Sequence, residues 1–162
     1  MPKISVILGS DSDKHVYAGI ASTLEDLGLS HDKRIISAHR TPDILKSYIE
    51  EAEEKGICIF IAVAGMAAAL PGVIASFTTY PVIGVPVSSG SPPMGMDSLF
   101  SMVQMPPGVP VATVALNGGK NAAILAAEIL SVSDNKLAEK LKAAREKQRE
   151  KVIEKDTAFK QE

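Results

Sequence analysis

From Gly56 to Met96 the chain carries no charged residue. No other feature constrains the fold as strongly, because that much uncharged chain has to be hidden from water. A bilayer is one hiding place, and Ile57–Ala75 has the hydropathy of a span. Gly65, Pro71-Gly72 and Pro81 interrupt that stretch, however, and no cluster of basic residues flanks it. Ile57–Val63 reads instead as a strand buried on both faces, as in a parallel sheet covered by helices. The stretch exceeds what one small domain hides, which predicts that part of it lies at a subunit interface.

The rest of the chain alternates strand and helix signals. Ile4–Leu8 is a short apolar strand ending at Gly9-Ser10. Lys14–Leu27 carries Val16, Ile20, Leu24 and Leu27 on one helical stripe, and Gly28 stops it. Lys33–Ile36 is a second strand. Thr41-Pro42 opens a helix as N-cap and first-turn proline, with Ile44, Leu45, Tyr48, Ile49 and Ala52 facing the core. After the third strand, Pro71-Gly72 mark the start of a short helix. Pro81–Val85 and Val111–Ala115 complete the strands, and Asn121–Leu130 is an Ala-rich helix. Residues 134–155 form a charged helix with a thin apolar stripe of Leu137, Leu141, Ala144 and Val152, which suits either a solvated face or a neighbouring subunit. Such alternation specifies an α/β fold, a three-layer α/β/α sandwich around a parallel sheet of flavodoxin-like or Rossmann-like type, in one domain spanning 1–162. Ligands of such sheets bind beyond the carboxyl ends of the strands.

Composition narrows the function. The 162 residues hold 17 Lys+Arg against 19 Asp+Glu, a formal net charge of −2, so no broad basic footprint for nucleic acid exists. A single cysteine, Cys58, excludes an internal disulfide and a multi-cysteine metal site. The N-terminus enters a strand-like run directly, without a signal peptide's pattern. The expectation is a cytoplasmic domain without cofactor or metal.

The strand ends carry the chemistry. Gly9-Ser10-Asp11-Ser12-Asp13 follows the first strand and precedes a helix: the glycine permits a tight turn, and the hydroxyls with the free helix N–H groups suit an anion. The same serines can serve only as helix caps. Neither Gly-x-Gly-x-x-Gly nor a P-loop lysine is present. Asp11 and Asp13 lack further carboxylates for a metal. At the second strand, Ser37-Ala38-His39-Arg40-Thr41-Pro42 offers a guanidinium for a bidentate phosphate contact and an imidazole able to move a proton either way. His15, inside a helix, and His31, entering a strand, read as structural. Around Gly65 and Ala69 the third strand ends in small residues that admit a ligand or another backbone closely. Val87–Met96 is a loop suited to act as a lid.

Together and in this order these segments resemble the class I N5-carboxyaminoimidazole ribonucleotide mutases, relatives of the carboxylases of purine synthesis. The resemblance rests on Gly9–Asp13, Ser37–Pro42, Ala69–Gly72, Pro81–Val87, Asp97-Ser98-Leu99, Gln104-Met105-Pro106 and Asn121-Ala122-Ala123. Arg40 favours the mutase over the related carboxylase, which typically has lysine there. The resemblance implies a homo-octamer without cofactor or metal that moves a carboxyl group from the exocyclic nitrogen to carbon 4 of the imidazole. It implies His39 as acid/base, Ser10 and Asp13 as ribonucleotide ligands and Arg40 as the phosphate ligand, with Ser37, Gly65 and Ala69 also in the substrate site.

One segment departs. The family pattern Gly-Gly-Ala-Ala-His-Leu-Pro-Gly is here Gly65-Met66-Ala67-Ala68-Ala69-Leu70-Pro71-Gly72. Ala69 therefore replaces the family's second active-site histidine and Met66 its second glycine. That leaves two other readings: an impaired or non-catalytic octameric paralogue that still binds ribonucleotide, and a flavodoxin-like nucleotide-binding module. Against the latter, aromatic residues make up only 4% of the chain and tryptophan is absent.

Overall fold

A computed structural model describes residues 3–88, 90 and 94–161. Two compact units divide the chain, one ending at Ala126 and one beginning at Ala127. The first is built on five parallel strands, β1 (Ile4–Leu8), β2 (His31–Ile35), β3 (Ile59–Gly65), β4 (Val82–Val87) and β5 (Ala112–Thr113), in the order β2-β1-β3-β4-β5. Its helices are α1 (Lys14–Asp26), α2 (Pro42–Glu54), α3 (Leu70–Phe77), α4 (Met96–Val103) and the start of α5 (Gly119–Ser131).

Side chains alternate across each strand, and the register sorts them into two faces. Ile7, Phe60, Ala62 and Val82 share one face with Leu45 and Ile49 of α2, Leu70 and Ile74 of α3, and Met102 of α4. Val6, Ile61, Ile83 and Val85 point the other way and are equally buried. On that side α1 and the start of α5 meet closely, because a Cβ on Gly119 would lie 2.7 Å from the Val16 carbonyl. On the first face, a Cβ on Gly84 would meet the Met102 sulfur at 3.0 Å, which is how α4 seats against β4. The uncharged stretch is thus spent on β3 and β4, each buried along its length apart from half-buried Gly65. Among the described residues no helix is long and apolar enough to cross a membrane.

One polar chain crosses this core. Ser5 Oγ and Tyr48 Oη lie 2.6 Å apart, and Tyr48 donates to Asp32 Oδ2 at 2.8 Å. Burial pushes the Tyr48 hydroxyl up to about 12, so it remains a protonated donor that ties α2 to β1 and β2.

Several elements differ from expectation. The third strand begins at Ile59 because Cys58 and Ile59 both donate to the Lys3 carbonyl, while Ile57 donates to Ala52 and closes α2. β5 shrinks to Ala112–Thr113, flanked by Pro110 and by the left-handed turn at Asn117. α4 is an additional helix that the sequence pattern did not announce. Of the lid-like loop, Ser89 and residues 91–93 lie outside the described residues. Its described end is anchored by Ser98, whose buried Oγ is within donating reach of the Val87 and Gly95 carbonyls at 3.0 and 2.9 Å.

The second unit is the end of α5 and the helix α6 (Asn135–Phe159). Asp134 caps α6 by accepting from the Leu137 N–H at 3.1 Å. The pairs Lys142–Glu139 and Arg149–Glu146 run along its exposed face, and Arg145 reaches back to Glu128 of α5 at 2.6 Å. Exposed pairs of this kind add little to stability. Val152, Ile153 and Phe159 remain exposed.

Candidate functional site

Strands β2 and β3 flank β1 on opposite sides, so the chain leaves the sheet in two directions at the carboxyl end of β1. A crevice opens there for topological reasons. It is a cavity of about 820 Å³, and Ser10, Asp13, Ser37, His39, Arg40, Gly65 and Ala69 all line it. The residues expected from the sequence therefore converge from three strand ends onto one space.

The first wall is the turn after β1. Gly9 N–H donates to the Val63 carbonyl at 2.9 Å, bending the chain off the sheet. Ser10 caps a short 3-10 turn over Asp11–Asp13: its Oγ accepts from Ser12 N–H at 3.4 Å and from Ser12 Oγ at 3.1 Å. Capping and lining the cavity are thus both true of Ser10. Asp13 is only 5% exposed. Burial raises its carboxyl above the ordinary range, opposed by hydrogen bonds from the Ser10 backbone and the Ser12 side chain and by the positive charge of His15, and aided by Asp11.

The second wall is the turn after β2. Thr41 stands at the N-cap of α2 as expected, yet its hydroxyl does not cap the helix. It faces backward instead, donating to the Ser37 carbonyl at 3.0 Å and accepting from the Ser37 N–H at 3.2 Å. Ser37 Oγ in turn accepts from the Arg40 backbone N–H at 3.2 Å and from Arg40 Nε at 3.3 Å. Ser37 is accordingly occupied in orienting Arg40, which leaves the terminal guanidinium nitrogens for a ligand. His39 is exposed at the tip of this turn.

The third wall is the segment after β3. Ala68 N–H donates to the Met66 carbonyl at 2.9 Å and Ala69 N–H to the Ala67 carbonyl at 2.7 Å, a tight double turn. Met66 holds φ at 56°, the left-handed region, with its side chain 72% exposed. A residue with a side chain thus holds a conformation that favours glycine. Ala69 is half-buried at the N-cap of α3. Ser88, at the end of β4, joins the lining and donates its N–H to Asn117 Oδ1 at 3.1 Å.

The two remaining histidines separate. His31 is structural as expected: its Nε2 is 2.9 Å from Tyr17 Oη, and burial lowers its pKa. His15, read as structural, borders the cavity. Helical periodicity marks position 15 as exposed but cannot show that the exposed side faces a ligand crevice. Among the described residues no three His, Cys, Asp or Glu side chains gather as a metal site requires.

An α/β domain with hydroxyls, a helix start, a free guanidinium and an imidazole around one crevice is an arrangement for acting on a small anionic molecule. Comparison with known proteins makes this specific. The chain belongs to the AIR carboxylase family, whose model matches residues 3–151. It is 53% identical over 155 residues to the N5-carboxyaminoimidazole ribonucleotide mutase of Thermotoga maritima, covering 96% of this chain and 90% of the relative. The Bacillus subtilis mutase is 49% identical over 155 residues, with 94% and 95% covered. A crystal structure of Treponema denticola PurE superposes with a TM-score of 0.90 at 34% identity, covering 99% of each chain.

Proposed function

We propose that this protein is a carboxyl-transferring mutase that converts N5-carboxyaminoimidazole ribonucleotide to 4-carboxy-5-aminoimidazole ribonucleotide in purine biosynthesis. The observation that carries this is the convergence of His39, Arg40, Ser10 and Asp13 on one cavity in a chain about half identical to such mutases over nearly its whole length.

The mechanism follows from those side chains. Arg40, aimed by Ser37, takes the phosphate, and Ser10 and Asp13 bind the ribonucleotide. The carbamate N–C bond breaks, its electron pair stays on nitrogen, and nitrogen gains a proton. The CO2 released is confined beside Ala68 and Ala69, the buried and half-buried small residues of the wall after β3. Carbon 4 of the imidazole attacks it, the new C–C bond forms, and carbon 4 gives up its proton. Protons gained and lost balance, so a single imidazole, His39, can supply one and collect the other. No outside reductant, oxidant or nucleotide is consumed.

The protein works as a cytoplasmic homo-oligomer, an octamer by its resemblance. Supporting this are Met96, Phe100 and Val103 exposed along α4 and Val152, Ile153 and Phe159 exposed along α6, apolar groups that suit burial against further copies. Residues 134–155, most of α6, lie on a neighbouring subunit in this reading.

The deciding experiment is a direct assay of carboxyl transfer on the parent and on His39→Asn. The parent turns over, and the variant loses about two to four orders of magnitude in rate while ribonucleotide affinity stays within a few-fold. Near-parent turnover in the variant would remove His39 from the mechanism, and a parent without turnover would overturn the function.

A further inference from the structure

We infer that His15 is a second cationic contact for the phosphate of the bound ribonucleotide, acting alongside Arg40. The inference rests on the proposed function and adds a residue to it. His15 is the second residue of α1, directly after the turn that carries Ser10 and Ser12, and it borders the same cavity as His39 and Arg40.

The ring's geometry fixes what it can offer. Nδ1 is 2.9 Å from the Ser12 carbonyl oxygen. A carbonyl only accepts, so Nδ1 carries the hydrogen and Nε2 is the nitrogen left for a ligand. The exposed ring is not a packing group, unlike His31, whose Nε2 is held by Tyr17. Neutral, Nε2 can only accept. Protonated, it becomes a charged donor beside the hydroxyls of Ser10 and Ser12 and the start of α1, the face of the cavity that suits phosphoryl oxygens. The wall after β3, Gly65–Ala69, lacks charge and suits the imidazole and CO2.

The charged groups around it are Asp11, Asp13 and Lys14 on its own segment, and His39 and Arg40 on the turn after β2. A bound phosphate adds negative charge and tips the ring toward the cation. Imidazoles change charge within the range in which such an enzyme works. Phosphate affinity should therefore carry a pH dependence that belongs to this residue.

The test is calorimetric titration of ribose 5-phosphate, which has the phosphate but neither imidazole nor carboxylate, into the parent, His15→Gln and His15→Lys at pH 6 and pH 8. At pH 6, His15→Gln should bind about three- to five-fold more weakly than the parent, the scale of an exposed charge pair. At pH 8 the two should agree closely. His15→Lys keeps a charge at both values and should bind more tightly than the parent at pH 8. The sugar phosphate's own ionisation is common to all three proteins and cancels in the ratios. A parent-to-variant ratio that is the same at both pH values, or a parent that does not bind the probe, overturns the inference. Carboxyl transfer measured on the same parent sample reports separately on the proposed function, so either can fail alone.

Discussion

Met66 offers a direct test of how the segment after β3 is built. Replacing it by glycine removes a side chain from a backbone held at φ 56°. For an L-residue the left-handed conformation costs roughly 1–2 kcal/mol, which glycine does not incur. Against that, glycine loses about 0.5–1 kcal/mol more conformational entropy on folding. The side chain is 72% exposed, so truncation forfeits well under the roughly 1.5–3 kcal/mol of a fully buried methionine. The balance is a gain of up to about 1 kcal/mol, or about 2–4 °C in Tm for a chain of this size. Met66→Ala is the control: it trims the same side chain but keeps the Cβ, and so keeps the strain. Urea unfolding of both variants and the parent at matched protomer concentration reads the difference. Met66→Gly should exceed Met66→Ala by up to roughly 1.5 kcal/mol, the strain relieved less the glycine entropy. If glycine is the less stable of the two, the backbone at 66 is not strained. If both variants lose more than about 1 kcal/mol, the methionine side chain is buried by another copy of the chain.

The same segment carries the second prediction. Ala69→His restores a donor toward the substrate carboxylate and should raise carboxyl transfer about ten- to a hundred-fold, with Met66→Gly added to it doing better still; steady-state rates no faster than the parent in both would show that the absent imidazole is not limiting. Arg40→Lys should weaken ribonucleotide binding, because lysine can neither chelate the phosphate nor keep the Nε contact to Ser37, and the loss should shrink as salt rises; equal affinities by calorimetry would place the phosphate elsewhere. Asp13→Asn should stabilise the protein at pH 7 while weakening ribonucleotide binding. Its sign follows from burial, which raises the carboxyl's folded-state pKa above 3.8: below the ordinary value both states are protonated and the cost vanishes, and as pH rises through the raised value the native state must hold a buried carboxylate. Thermal melts across pH 3 to 7 check this, and a stability gain that does not grow with pH would contradict it.

How much of this was legible beforehand depends on what each residue answers to. β1 and α1 match their expected limits almost to the residue, because Ile4–Leu8 and the Val16–Ile20–Leu24 stripe answer only to the chain's own core. α4 was not legible for the opposite reason. It buries Ser98 and Met102 and leaves Met96, Phe100 and Val103 exposed, so polarity along it runs against the expected pattern. Ser98 is inside because two backbone carbonyls stand within reach of its hydroxyl, a reason that exists only once β4 and Gly95 are in place. Thr41 teaches the same at smaller scale: position marked it as a cap, but its hydroxyl is taken by Ser37, and the gain is a fixed platform for His39 and Arg40. The site was legible as strand-end motifs because glycine, hydroxyl, guanidinium and imidazole recur where a parallel sheet must open. His15 was not, since an exposed helical position looks the same whether water or a ligand lies beyond it. Local patterning therefore reports the core well, and it fails where a side chain answers to a ligand or to a distant carbonyl.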